Sequence, residues 1–117
     1  TKERKYTNGN ALCDIEMVRA HLATLYTKAQ SARALVLEAA RSFDAGETDA
    51  ATKIFACRVN ATELVTEICS LAMRLGGGKA YSKLLPLERY LRDSYAAQVM
   101  APSLDVVKMW LGDALRK

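Results

Sequence analysis

From Ile15 onward the apolar positions run Ile15, Val18, Leu22, Leu25, Ala29, Ala32, Val36, Ala39 and Phe43, in alternating steps of three and four. That spacing keeps one continuous apolar stripe on a single face of a long helix. Asp44-Ala45-Gly46 predicts its end, because Gly46 can take the left-handed backbone that closes a helix. Thr48 then offers an N-cap oxygen, and Asp49 places negative charge in the next first turn. A second stripe follows at Ile54, Cys57, Ala61, Leu64, Ile68, Leu71 and Leu75, and it stops at Gly76-Gly77-Gly78. Two long helices joined by a short turn predict an antiparallel hairpin.

The texture then changes. Lys79 to Leu85 is expected to be a connection, and Pro86 suits the first turn of a shorter helix running to about Gln98, with Tyr90, Leu91 and Tyr95 as its contacts. Pro102 starts a last helix carrying Val106, Met109, Trp110 and Leu115, with Trp110 expected in the core. The predicted fold class is all-α, an antiparallel four-helix bundle of two long and two shorter helices over residues 10–117. Residues 1–9 are a lead-in segment without apolar patterning, and Asn8-Gly9-Asn10 at its end suits a turn. The unpatterned start and the missing initiator Met are what a processed chain, or a piece of a longer protein, would show.

Composition narrows the function classes. Glycine (6) and proline (2) are scarce, which disfavours a loop-rich β fold, and a net charge of +4 is too modest to point to a nucleic-acid partner. No apolar run approaches the roughly eighteen residues that a membrane span needs. Thr1-Lys2-Glu3-Arg4-Lys5 has no apolar stretch behind it, so no secretory signal is predicted. The three cysteines, Cys13, Cys57 and Cys69, have no CxxC spacing, and the chain holds one histidine, so neither a disulfide framework nor a zinc site is expected. Buried free thiols suit a reducing compartment: the cytoplasm, or the mitochondrial matrix in a eukaryote.

Several candidate constellations fail on spacing. Gly76-Gly77-Gly78-Lys79 is not a phosphate loop, since Met73 and Ala80 stand where glycine and Ser/Thr are required. Glu63 and Glu67 share a helix face, but no Glu-x-x-His accompanies them, so a di-metal carboxylate site is not predicted. His21 lies off the stripe with no second ligand a turn away. Arg92 and Asp93 are expected to form an ion-paired cap between the short helices. The glycine run itself requires a sharp turn or a close approach of the backbone to something else.

An ordered series is more specific. Gly77-Gly78-Lys79-Ala80-Tyr81, Pro86-Leu87-Glu88-Arg89, Arg92-Asp93 and Ala101-Pro102-Ser103-Leu104-Asp105 follow one another at set spacings. The series resembles the C-terminal helical domain of the acyl-CoA dehydrogenase superfamily, and Glu3-Arg4-Lys5 is similar to the start of that domain's lead-in segment. The resemblance covers essentially the whole chain.

It implies an FAD-dependent oxidoreductase. In such enzymes a carboxylate takes the α proton of an acyl thioester while the flavin takes the β hydride. The substrate would be an acyl-CoA or acyl-carrier thioester, the electrons would pass to a transfer partner, and the assembly would be a homodimer or tetramer with shared FAD. Carried over position by position, Gly77 and Gly78 match the turn that approaches a partner subunit's FAD. Arg74 stands where Gln is usual, and Arg4 matches an arginine that contacts the same FAD, although Thr7-Asn8 replaces the usual Phe-Gly after it. Ser103 and Asp105 stand where a Thr and a Glu or Gln contact the flavin.

The sharpest departure is Ala101, at the position where many members carry the catalytic Glu; no catalytic residue is therefore assigned in this chain. The base would then come from an upstream helix, or the protein would be a flavin monooxygenase on the same fold, or a non-catalytic subunit of a mixed oligomer. From another class, a free-standing helical interaction module is the alternative.

Overall fold

The computed structural model describes residues 15–117, and Arg4 and Cys13 lie outside them. Five helices follow in order: α1 (Glu16–Asp44), α2 (Ala50–Gly76), α3 (Gly78–Tyr81), α4 (Leu87–Val99) and α5 (Leu104–Arg116). The two long and two shorter helices are those the periodicity predicts. The single turn of α3 was expected to be plain connection; it forms because Ala80, wholly buried, packs onto Gly76.

Backbone bonds close the α1–α2 turn. Gly46 is left-handed (φ 70°), its N–H bonds to Phe43 O, Ala45 N–H to Arg41 O, and Glu47 N–H reaches back to Ser42 O, so three of the last four carbonyls of α1 accept backbone bonds. Thr48 does not cap α2. Asp49 takes the N-cap position without a side-chain cap bond, and its carboxylate stands 3.7 Å from Lys53 instead. Side chains then pin the turn. Arg41 binds Glu38 through two nitrogens (2.6 and 2.8 Å) and Glu47 through the third (2.9 Å). Lys53 adds bonds to the same two carboxylates, and Ser42, fully buried, donates to Glu47 Oε2 at 2.7 Å.

Lys28 pairs with Glu67 and Glu38 with Lys53. One partner's number rises as the other's falls, which is the register of an antiparallel hairpin.

α2 is the hub of the fold. α1 packs against α2 alone, whereas α4 and α5 pack against α2 and lightly against each other. Surrounded on several sides, α2 is half-buried along most of its length and uses small residues such as Ala56, Ala61, Ala72 and Cys69 where neighbours come close. The cost of that layout is shape. The radius of gyration is 17.8 Å and the long axis 59 Å, where a compact chain of this length would have a radius near ~13 Å.

The buried face of α1 is shifted from the expected stripe. Val18, Leu25, Ala32 and Ala39 face inward as predicted, but the flank turned to α2 is Lys28, Leu35, Glu38 and Ser42. Ala29, Val36 and Phe43, expected in the core, are exposed, Phe43 to 66%. Hydrophobic pattern marks what a residue prefers to be covered by, not which neighbour covers it. The side of α1 that meets α2 is therefore mixed, with polar Lys28, Glu38 and Ser42 beside apolar Val18, Leu25 and Ala39, and no other helix among the described residues packs on the exposed apolar row at its border. Trp110 is likewise not a core residue: it is 42% exposed and lies against the Phe55 ring at a centroid distance of 5.9 Å.

Candidate functional site

Two turns hold the residues that the sequence singles out, and α2 separates them. Arg74, Gly77 and Gly78 sit at the C-terminal end of α2; Ala101, Ser103 and Asp105 sit between α4 and α5. The second turn is anchored on α2 at Arg58, and nineteen residues of helix from there to Gly77 span about 28 Å. One copy of the chain therefore does not gather the six around a single small ligand.

The three glycines of the first turn differ in what demands them. Gly77 caps α2 with φ 65° and ψ −148°, a region that only glycine occupies freely, and its N–H bonds to Met73 O at 3.2 Å. Gly76 is required by space: a Cβ there would lie 2.6 Å from Ala80 Cβ and 3.1 Å from Leu87 Cδ1. Gly78 has neither constraint, since it has no positive φ and a Cβ would meet nothing within 4 Å. Nothing inside the described chain asks for glycine at position 78.

Around this turn the surface is cationic. Arg74, in the last turn of α2, is exposed and has no ion pair among the described residues. An open hollow of about 530 Å³ lies alongside, with Lys83, Arg92 and one carboxylate, Glu88, in its lining beside Met73 and Leu91. Arg92 and Asp93 do not form the predicted ion-paired cap; both are exposed, and neither has an ion-pair partner among the described residues. The i,i+1 spacing explains this, because adjacent residues on a helix point in different directions.

The second turn is built around its helix ends. α4 stops at Val99, Met100 N–H bonds to Ala96 O, the Ala101–Pro102 bond is cis, and Ser103 caps α5 by accepting from Val106 N at 3.4 Å. Ala101 is exposed, and Asp105 stands exposed in the first turn of α5. The Ser103 hydroxyl accepts in the cap and so keeps its proton to donate. No carboxylate stands within this turn: Asp105 is four residues beyond Ala101 and belongs to the helix.

Glu63 and Glu67 part company in the fold. Glu67 pairs with Lys28 on α1 and Glu63 with Lys108 on α5, so both hold helices to α2. No group of three or more His, Cys, Asp or Glu side chains among the described residues is arranged to hold a metal. His21 is half-buried, and Cys57 and Cys69 are free, half-buried thiols. Burial pushes the Cys69 thiol above its usual range. No helix of the described residues is long and apolar enough to cross a membrane.

Sequence reasoning passed over Arg58. Its Nη2 donates to Ala97 O (2.6 Å) and Pro102 O (3.1 Å), and its Nε to Thr62 Oγ1 (3.1 Å). A signal was there: the positions three and four away are Ile54, Phe55, Ala61 and Thr62, so this cation has no carboxylate on its own helix.

The fold recurs in known proteins. The family description "Acyl-CoA dehydrogenase, C-terminal domain" matches residues 2–115. A probable acyl-CoA dehydrogenase of Mycobacterium leprae is 28% identical over 115 residues, covering 98% of this chain and 29% of that protein. Cyclohexane-1-carbonyl-CoA dehydrogenase of Geobacter metallireducens is 28% identical over 118 residues, covering 100% and 30% respectively. The solved butyryl-CoA dehydrogenase of Megasphaera elsdenii superposes with a TM-score of 0.90 at 26% identity, over 99% of this chain and 30% of that one. The chain thus spans about three-tenths of the length of these relatives. With the match running through both turns and all five helices, the chain belongs to the acyl-CoA dehydrogenase C-terminal domain family.

Proposed function

We propose that the chain is the C-terminal helical part of an FAD-dependent oxidoreductase acting at the α and β carbons of an acyl thioester. Relatives of both directions support that chemistry, among them a cyclohexane-1-carbonyl-CoA dehydrogenase and an acryloyl-CoA reductase. The observation that carries the reading is the end of α2. Gly78 is open on the outside, and the exposed Arg74 nearby is free to meet an anion. That is the surface expected of a backbone that lets a diphosphate approach closely, with a guanidinium to pair it. Arg74, Gly77 and Gly78 would hold the diphosphate half of a flavin nucleotide bound mainly by another subunit, with Arg4 on the same group. Ser103 and Asp105 would face the flavin of their own subunit, the Ser103 hydroxyl donating. FAD supplies hydride transfer when bound; the residues of this chain orient it and exclude water.

Because the two groups lie about 28 Å apart along α2, one flavin is shared only if two copies meet, which supports a homo-oligomer. The uncovered apolar row of α1, Val36 and Phe43 included, gives such an assembly, or the remainder of the protein, a surface to cover. The substrate is an acyl-CoA or acyl-carrier thioester, and an electron-transfer protein is the redox partner. One relative, the CarC subunit of a caffeyl-CoA reductase–Etf complex from Acetobacterium woodii, carries such a partner in its name.

Ala101 favours a second reading, a non-catalytic subunit of a mixed oligomer, since a methyl group accepts no proton. The test uses the complete protein under anaerobic conditions with a panel of acyl-CoAs, with flavin absorbance as readout. Bleaching by an acyl-CoA with Ala101 in place establishes dehydrogenation with a base supplied elsewhere. Bleaching that appears only in Ala101→Glu identifies the non-catalytic subunit. No bleaching in either, together with reductant-dependent oxygenation, moves the assignment to a monooxygenase.

A further inference from the structure

The Ala101 turn is held from beneath by one side chain of a different helix. Ala97 O is among the last carbonyls of α4; its helical partner would be the N–H of residue 101, which lies beyond the helix end. Pro102 O faces a similar lack, because the N–H four residues on, that of Val106, is given to the Ser103 side chain. Both carbonyls accept from a single nitrogen of Arg58, and Thr62, 2% exposed, holds the guanidinium from the other side through Nε. No carboxylate among the described residues pairs with Arg58, so its charge is directed wholly at backbone oxygen and one hydroxyl. Charge-assisted bonds from a planar, pre-organised fork fix geometry better than neutral ones do. The two carbonyls flank Ala101 in the chain, so moving the guanidinium moves the turn.

We infer that Arg58 is a positioning residue, which sets where the Ala101–Ser103 turn stands relative to the flavin and thioester that residues 101, 103 and 105 would face. The assignment of those facing groups rests on the proposed function; the bracket itself does not. Lysine can reach the two carbonyls but lacks the second donor direction needed for Thr62, whereas methionine reaches none of the three.

The test compares Arg58→Met and Arg58→Lys in the complete protein by hydrogen exchange and by acyl-CoA turnover. In Arg58→Met, amide exchange over residues 99–106 is expected to rise about ten-fold or more while α1 and the glycine turn stay as they were. Turnover is expected to fall by about ten- to a hundred-fold with KM nearly unchanged, as for a reacting geometry displaced by an ångström or so. Arg58→Lys is expected to restore most of both. Unchanged exchange at 99–106 overturns the inference, as does a rise spread evenly over all helices, or a loosened turn with kcat unaffected. Should Arg58→Met not fold, the milder Arg58→Gln, which loses the charged fork, takes its place: a rise in exchange confined to 99–106 with a lowered kcat supports the bracket, and unchanged exchange there or a general loss of protection overturns it. If the unaltered protein turns over no thioester, the proposed function fails while the exchange comparison still decides the role of Arg58.

Discussion

Alanine substitution through the Gly76–Gly78 run separates three physical reasons for glycine. Gly77→Ala puts a Cβ on a backbone at φ 65°, ψ −148°, and holding an L-residue there costs about 1–3 kcal/mol. Gly76→Ala keeps a helical backbone but places its Cβ 2.6 Å from Ala80 Cβ and 3.1 Å from Leu87 Cδ1. The leucine tip can turn aside; the Ala80 methyl cannot, because it is one bond from the backbone and Ala80 is fully buried. α3 must therefore shift, at about 1–3 kcal/mol for overpacking, against which the better helix propensity of alanine returns about 1 kcal/mol. The net expectation is a loss of about 0–2 kcal/mol. Gly78→Ala meets nothing within 4 Å and restricts only the unfolded chain, so it is expected to stabilise by about 0.4–1 kcal/mol. Urea unfolding followed by far-ultraviolet circular dichroism gives the three midpoints, compared at unchanged slope. The order Gly78→Ala above the unaltered protein, then Gly76→Ala, then Gly77→Ala is the prediction. A Gly78→Ala variant as unstable as Gly77→Ala, or a Gly77→Ala variant without loss, refutes the reasoning. In the complete protein Gly78→Ala carries a second expectation, weaker retention of flavin at undiminished stability, because its only crowding would come from outside the chain.

Acid should withdraw the contribution of the α1–α2 turn to stability. Bonds from Arg41, then Lys53, hold Glu38 down to about 2, and bonds from Arg41, then Ser42 and Lys53, hold Glu47 down to about 2, each from 4.5. Carboxylates that bind protons more weakly folded than unfolded add stability in full above the unfolded value. That contribution drains as pH falls from 4.5 towards about 2, and Glu47→Gln should flatten the fall in urea midpoint across this window. Ser103→Ala removes the α5 cap and should cost about 1 kcal/mol, read as a lowered urea midpoint; no change would mean that water replaces the 3.4 Å bond to Val106 N without loss.

The four principal helices were legible because each carries its own period, and Gly46 marked its turn correctly because positive φ is a local requirement of the backbone. The inward flank of α1 was not legible. Lys28, Glu38 and Ser42 are polar, and the partner helix and turn, which supply Glu67, Lys53 and Glu47, pair the two half-exposed charges and satisfy the buried Ser42 hydroxyl. Val36 and Phe43 misled for the complementary reason: they are apolar, yet they stay exposed because the one helix packed on α1 lies on its other flank. Both candidate turns were found through a resemblance rather than through any property of one residue. Arg58 escaped because its partners are the backbone oxygens of residues 97 and 102, and a carbonyl has no sequence signature.

The hub position of α2 also bears on how the chain is made. Of the five helices α1 is made before the others, and the one helix it packs against is α2, which follows it. α2 emerges next, closing the hairpin across a five-residue turn whose pins, Glu38, Arg41, Ser42, Glu47 and Lys53, lie within sixteen positions of one another. Only then do α4 and α5 appear, each with its main partner already in existence. α4 and α5 thus leave the ribosome after the helix they mainly pack against, whereas α1 waits for α2 and α2 for the helices that later cover it. Contacts that close in order of translation keep loop-closure entropy small at each step.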